Sequence, residues 1–154
     1  MNNKDLTTKQ IESKLQYYCS YQDRCHKEVI EKLKTFDIKS NESNEIISNL
    51  IKDNYLNESR FSENFVRGKF KIKNWGKVRI VRELKQRNIS TYNINLGLKE
   101  IDNQEYQKKF DEIFKNKLSS LGNLNKIIKK KKIISYLLYR GWESNLIYLK
   151  INEI

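Results

Sequence analysis

Cys19, Cys25 and His26 are the residues of this chain best suited to hold a soft metal, and His26 is its only histidine. Three soft ligands fall short of the four Cys or His ligands, in recognisable pairs, of a structural zinc site. Both cysteines are therefore expected to serve as small apolar side chains on helix faces. Gly68, Gly76, Gly97, Gly122 and Gly141 are scattered, so there is no glycine-rich phosphate loop. His26 has no nucleophile-elbow context. Acid pairs such as Glu42 and Glu45 sit in segments that read as solvated helix surface, without the pocket that acid catalysis needs. The chain is expected to have no catalytic residue, no metal and no cofactor.

The basic residues carry the positive signal. Arg67, Lys69, Lys71, Lys73, Lys77, Arg79, Arg82, Lys85 and Arg87 crowd one stretch, opposed only by Glu83. Arg60, Asn64, Arg67 and Lys71 follow i, i+4, i+7 and i+11, which is one stripe of a helix. Arg79, Arg82 and Gln86 share a face of the next helix. The two faces are expected to meet beside Trp75-Gly76, where phosphates or acidic side chains are the natural partners. Lys129 and Lys130 open a second run through Lys132. Four consecutive positions circle a helix, and Lys131 falls on a seam between Ile127 and Ile134, so its stem is expected to snorkel. Trp75 is expected to pack a helix corner.

The charge is unevenly spread. The net charge is +12, yet residues 1–56 hold nine basic and nine acidic residues. Residues 57–101 hold 11 against 4, and residues 102–154 hold 11 against 6. A neutral first third with a basic remainder implies a side that faces a polyanion.

The elements that position these residues read as helices throughout. Proline is absent and there are 5 glycines, too few for the turns of a β-sandwich. Thr7 with Gln10 forms a capping-box pattern before a helix at 8–21 with Ile11, Leu15 and Tyr18 inward. Asp23 is expected to cap a second helix carrying Val29, Ile30 and Leu33. Ser40-Asn41-Glu42-Ser43-Asn44 reads as a loop before a third helix at about 43–54, with Ile46, Ile47, Leu50 and Ile51. Asn57 caps a fourth through about Lys73, with Phe61, Phe65, Gly68 and Ile72 on one face and another helix packed over Gly68. A fifth turns Ile80, Val81 and Leu84 inward, and a sixth covers about 92–101. Asp102 and Glu105 open a seventh, with Tyr106, Phe110, Phe114, Leu118 and Leu121 inward, ended by Gly122. The eighth runs from about 125 to 140 and stops at Gly141. Ser144 caps a ninth with Leu146, Leu149 and Ile151.

These segments repeat. Ile30-x-x-Leu33-x4-Ile38 recurs as Val81-x-x-Leu84-x4-Ile89 and again as Ile134-x-x-Leu137-x4-Trp142. The expected architecture is all-α: three tandem three-helix repeats, at 1–56, 57–101 and 102–154, in an elongated, curved array. The start Met1-Asn2-Asn3-Lys4-Asp5 lacks a signal peptide's apolar run, and no stretch approaches a membrane span. The chain therefore reads as cytoplasmic, with no membrane contact.

Leu56-Asn57-Glu58-Ser59-Arg60-Phe61-Ser62-Glu63-Asn64-Phe65-Val66 resembles the RecX-family signature at the start of its second repeat. Trp75-Gly76-Lys77-Val78-Arg79-Ile80-Val81-Arg82-Glu83-Leu84-Lys85-Gln86-Arg87-Asn88-Ile89 resembles its continuation. Arg24-Cys25-His26-Lys27-Glu28-Val29-Ile30-Glu31-Lys32-Leu33 is similar to the related segment of the first repeat. The match spans most of residues 15–101 and fades afterwards. Glu58, Ser62, Cys25 and Asn88 depart from the family pattern. The resemblance implies three tandem three-helix repeats and a monomeric regulator that lies in the groove of the RecA nucleoprotein filament. It implies inhibition of filament growth, ATP hydrolysis and strand exchange, with weak electrostatic contact to DNA. Arg60, Arg67, Lys69, Lys71, Lys73, Lys77, Arg79, Arg82, Lys129 and Lys130 are the expected contacts to RecA or DNA. The alternative is a general helical DNA- or RNA-binding protein without a RecA partner.

Overall fold

Local capping chemistry decides where many of the helices begin. In the computed structural model, which describes residues 5–154, Thr7 and Gln10 close a reciprocal capping box at the start of α1 (Thr8–Tyr21). The polar start Met1–Lys4, read above as lacking a leader's apolar run, lies outside the described residues. Asn57, Ser90, Asp102 and Asn125 each accept a backbone N–H three residues on, opening α4 (Glu58–Lys71), α6 (Thr91–Leu98), α7 (Asn103–Ser120) and α8 (Lys126–Tyr139). The others are α2 (His26–Leu33), α3 (Ser40–Lys52), α5 (Lys77–Gln86) and α9 (Ser144–Ile151). No strand occurs among the described residues.

Three expected starts move. Asp23 does not cap α2; the N-cap is Cys25, with no side-chain bond, because Asp23 is taken by Arg60 and Asn64 of α4. Ser40–Asn44, expected as a loop, forms the first turns of α3. Glu143, not Ser144, occupies the N-cap of α9.

The helices pack in consecutive triplets, α1–α3, α4–α6 and α7–α9, and every substantial helix–helix contact falls within one of them. Leu33, Leu84 and Leu137, the shared position of the sequence repeat, are all buried. The ends of α5 and α8 match as well. Asn88 and Gly141 both take a left-handed backbone, after which the N–H of Ile89 reaches Leu84 and that of Trp142 reaches Leu137.

The cores are not equivalent. One cluster, built on Ile11, Leu15, Val29, Leu33, Ile46 and Leu50, is confined to the first triplet and its exit at Leu56. A second runs without interruption from Phe61 to Ile151 and joins α4–α9. Cys25, from the first triplet, inserts into this second core.

The inward faces differ from expectation where a neighbouring helix, not the helix's own period, decides. In α4 the buried residues are Phe61, Ser62, Val66 and Phe70, while Ile72 is 77% exposed. Among the described residues, its chain neighbours and its own helix backbone apart, nothing lies within 4 Å of where a Gly68 Cβ would stand. The close approach is made instead by Gly97 of α6, where a Cβ would collide with Ser62 and Val66. Ser62 Oγ donates to the Asn93 carbonyl at 2.7 Å, which satisfies the buried hydroxyl. In α1 Cys19 is buried where Tyr18 was expected, and Ile30 and Ile51 are exposed. In α9 Ile147 and Ile151 point inward and Leu149 outward. In α8 the buried stripe is Ile133 and Leu137. Ile127 and Lys131 are exposed, so the expected seam between Ile127 and Ile134 is not buried.

Candidate functional site

Two glycines set the orientation of the basic helix α5. Gly76 is its N-cap and meets Gly141 backbone to backbone; a Cβ on either would strike the other strand of chain. The Gly76 N–H donates to the Arg140 carbonyl at 2.8 Å and the Val78 N–H to the Gly141 carbonyl at 2.9 Å. Trp142 Nε1 donates to the Asn74 carbonyl at 3.1 Å. The Lys77 N–H donates to Tyr106 Oη at 2.9 Å, and that hydroxyl donates to Glu143 Oε1 at 2.7 Å. Burial raises the Tyr106 pKa, and the neighbouring Glu143 carboxylate adds to the effect. The phenol therefore stays protonated and can serve as that donor.

The predicted basic residues divide into two groups. Arg60, Arg67 and Arg79 are tied into the molecule. Arg60 Nε pairs with Asp23 Oδ1 at 2.9 Å, and its other nitrogens donate to the carbonyls of Asn54 and Tyr55. Arg67 pairs with Glu100 at 3.0 Å. Two of the three cations of the expected α4 stripe, Arg60 and Arg67, are thus paired with acids from elsewhere in the chain, while Lys71 is not. Arg79 lies 4.1 Å from the Trp75 ring centre and 4.8 Å from that of Tyr139, and its Nε is buried with no hydrogen-bond partner among the described residues. It does not share an open face with Arg82.

Lys69, Arg79 and Arg87 converge on the Phe65–Trp75 ring pair. Lys69 Nζ sits 4.9 Å from the Trp75 centre, and the Arg87 guanidinium 4.9 Å from Phe65. This is the meeting of α4 and α5 expected beside Trp75-Gly76, but α4 contributes Lys69 rather than the Arg60–Lys71 stripe. Desolvation lowers the Lys69 pKa, and repulsion from Lys73, Arg87 and Arg79 lowers it further. An incoming anion would relieve that repulsion.

Lys71, Lys73, Arg82 and Lys85 are exposed and form no ion pair among the described residues. On α5, Val78, Arg82 and Lys85 follow i, i+4, i+7. With Lys77, Val81, Gln86 and Glu143 they line a shallow groove of about 720 Å³, apolar in its floor and cationic at its rim. Lys85 and Val78 were absent from the expected contact set; their shared periodicity was the signal that could have included them. Lys129 and Lys130 are half-buried on α8 and lie outside this groove. Trp75 packs the corner between α4 and α5 edge-on to Phe65. No cluster of three or more His, Cys, Asp or Glu that could hold a metal occurs among the described residues, nor does a helix long and apolar enough to cross a membrane.

Residues 57–98, which carry α4, α5, α6 and all of the groove lining but Glu143, match the family model described as RecX, second three-helix domain. The crystal structure of RecX from Lactobacillus salivarius superposes with a TM-score of 0.82 at 25% identity, covering 95% of each chain. The chain is thus similar to RecX proteins both in the sequence of this segment and in fold. Regulatory protein RecX of Lactobacillus gasseri is 28% identical over 137 residues, covering 89% of this chain and 51% of its own length. That of Streptococcus uberis is 34% identical over 86 residues, covering 56% and 33%. The chain spans about half the length of the curated relatives it matches most fully. α5 and every groove-lining residue except Glu143 lie inside the segment matched by the family model.

Proposed function

We propose that this chain is a member of the RecX family that binds the RecA nucleoprotein filament and mostly inhibits its ATPase, filament growth and strand exchange, with no catalysis or cofactor of its own. The observation that carries the reading is the α5 face, where Lys77, Arg82 and Lys85 line the groove with Val78 and Val81, and where Arg82 and Lys85 form no ion pair among the described residues. In this reading the chain works as a cytoplasmic monomer of three units at 1–56, 57–101 and 102–154. The first is charge-neutral and the others face DNA or acidic filament surface. Unpaired surface cations speed association and make it salt-sensitive.

The test is a titration of RecA's DNA-dependent ATPase with the wild-type chain and with Arg82→Glu/Lys85→Glu. Arg79 is unsuited to charge reversal because it packs between two rings. The wild type should inhibit, and the double variant should need at least about tenfold more protein for the same inhibition, with an unchanged circular dichroism melt. Equal inhibition by the variant would remove the α5 assignment. A wild type that binds DNA yet leaves RecA's ATPase untouched would favour a general nucleic-acid binder.

A further inference from the structure

The first triplet carries a surface that the α5 face does not explain. Tyr17 and Tyr21 stand one turn apart on α1, each 73% exposed. With Tyr18, Phe36, Lys14, Lys32 and Ser13 they line a groove of about 590 Å³. Apart from Ser13 the lining is aromatic and cationic, and no acid among the described residues contributes to it. This holds although residues 1–56 carry as many acids as bases, so the acids are placed elsewhere.

The floor of the groove is held in place. Arg24 lies over the Tyr18 ring, 3.7 Å from its centre. Arg24 is itself fixed by its bond to the Tyr18 carbonyl at 3.0 Å and by Glu28 at 3.5 Å. Lys32 approaches the same ring at 5.5 Å. Lys14 and Lys32 form no ion pair among the described residues, so both charges remain available at the rim.

We infer that this groove binds unpaired bases of single-stranded nucleic acid, with Tyr17 and Tyr21 as stacking surfaces and Lys14 and Lys32 on the flanking phosphates. Every base offers a flat face to an aromatic ring, so such a site needs no sequence preference. The two rings are about 6 Å apart along the helix axis, against about 3.4 Å per nucleotide in a stacked duplex strand. They therefore suit a strand whose bases are already separated. The inference stands independently of the RecA reading, since it rests on different residues in a different triplet.

The experiment measures binding of the full chain to fluorescein-labelled oligothymidylate by anisotropy, at two salt concentrations, alongside an abasic strand of the same length. Stacking of one base on one ring is worth on the order of 5- to 150-fold in affinity. Tyr17→Ala/Tyr21→Ala should weaken oligothymidylate binding at least about tenfold, while Tyr17→Phe/Tyr21→Phe retains it. Wild-type affinity for the abasic strand should fall to that of the Ala variant. The slope of affinity against salt should be the same for wild type and Ala variant, because the lysine–phosphate contacts remain. Both rings are largely exposed, so circular dichroism melts should coincide. Unchanged binding by the Ala variant, equal loss in the Phe variant, or equal wild-type affinity for the abasic strand would each overturn the site. So would an Ala variant that keeps oligothymidylate but loses RecA, since the groove would then serve a protein.

Discussion

The two joints between triplets are built from different physics. Between the second and third, backbone meets backbone at Gly76 and Gly141, Trp142 is 1% exposed, and one apolar core crosses the boundary. Between the first and second the contacts are mostly polar. Asp23 accepts from Arg60 and Asn64, Glu58 accepts from the His26 N–H at 3.1 Å, and Lys27 Nζ donates to the Gln86 carbonyl at 2.8 Å. Cys25 is the apolar plug. Ion pairs with side chains about a third exposed contribute little and are screened by salt, whereas a packed glycine crossing tolerates no added atom. The first triplet is therefore the separable part, and the other two form one cooperative body.

The sharpest way to break this contrast is Gly141→Ala. Its φ of +87° disfavours any side chain, and the new Cβ would collide with Arg79. A loss of at least about 3 kcal/mol is expected in urea unfolding, with the third triplet lost together with the second. Retention of full stability would mean that the joint is looser than its packing indicates.

Cys25 gives a measurable handle on the other joint. Burial raises its thiol pKa from 9.0 to about 11. The folded state then holds that proton more tightly than the unfolded chain does. Its contribution is complete below pH 9 and fades as the pH climbs to about 11, by roughly 2–3 kcal/mol at most. Comparing Cys25→Ala with the wild type across that range should show a shallower alkaline decline in the variant. Parallel curves would dismiss Cys25 as the source.

Tyr106→Phe comes next. It removes the donor to Glu143 and the acceptor for the Lys77 N–H, and should cost about 1–2 kcal/mol, read from the thermal melt. The smallest effect belongs to Asp23→Asn, expected at under about 1 kcal/mol and shrinking in high salt. Hydrogen exchange should nonetheless show the first triplet opening more often in that variant while α4–α9 stay protected.

How much of this was legible in the sequence depends on the range of the interaction. The caps at Thr7, Asn57 and Asp102 rest on a side chain and an N–H three residues away, so sequence spacing exposes them. Asp23 defeats the same reasoning because its partner Arg60 is 37 residues distant. The face of α4 is set by Gly97 of α6, so its own apolar spacing pointed to Ile72 rather than Phe70. The basic cluster was visible as a group. Its division into tied arginines and open ones was not, since Glu100 and Tyr139, which engage Arg67 and Arg79, lie far along the chain.

The glycine crossing also has a mechanical consequence. A molecule pulled by its two ends transmits tension through both joints in series, and the weaker one yields first. The polar Asp23–Arg60 side is the one expected to give way while Gly76 and Gly141 stay in contact, so extension should begin with the first triplet. The helices α4–α9, joined by one apolar core, should then keep their mutual arrangement to larger loads.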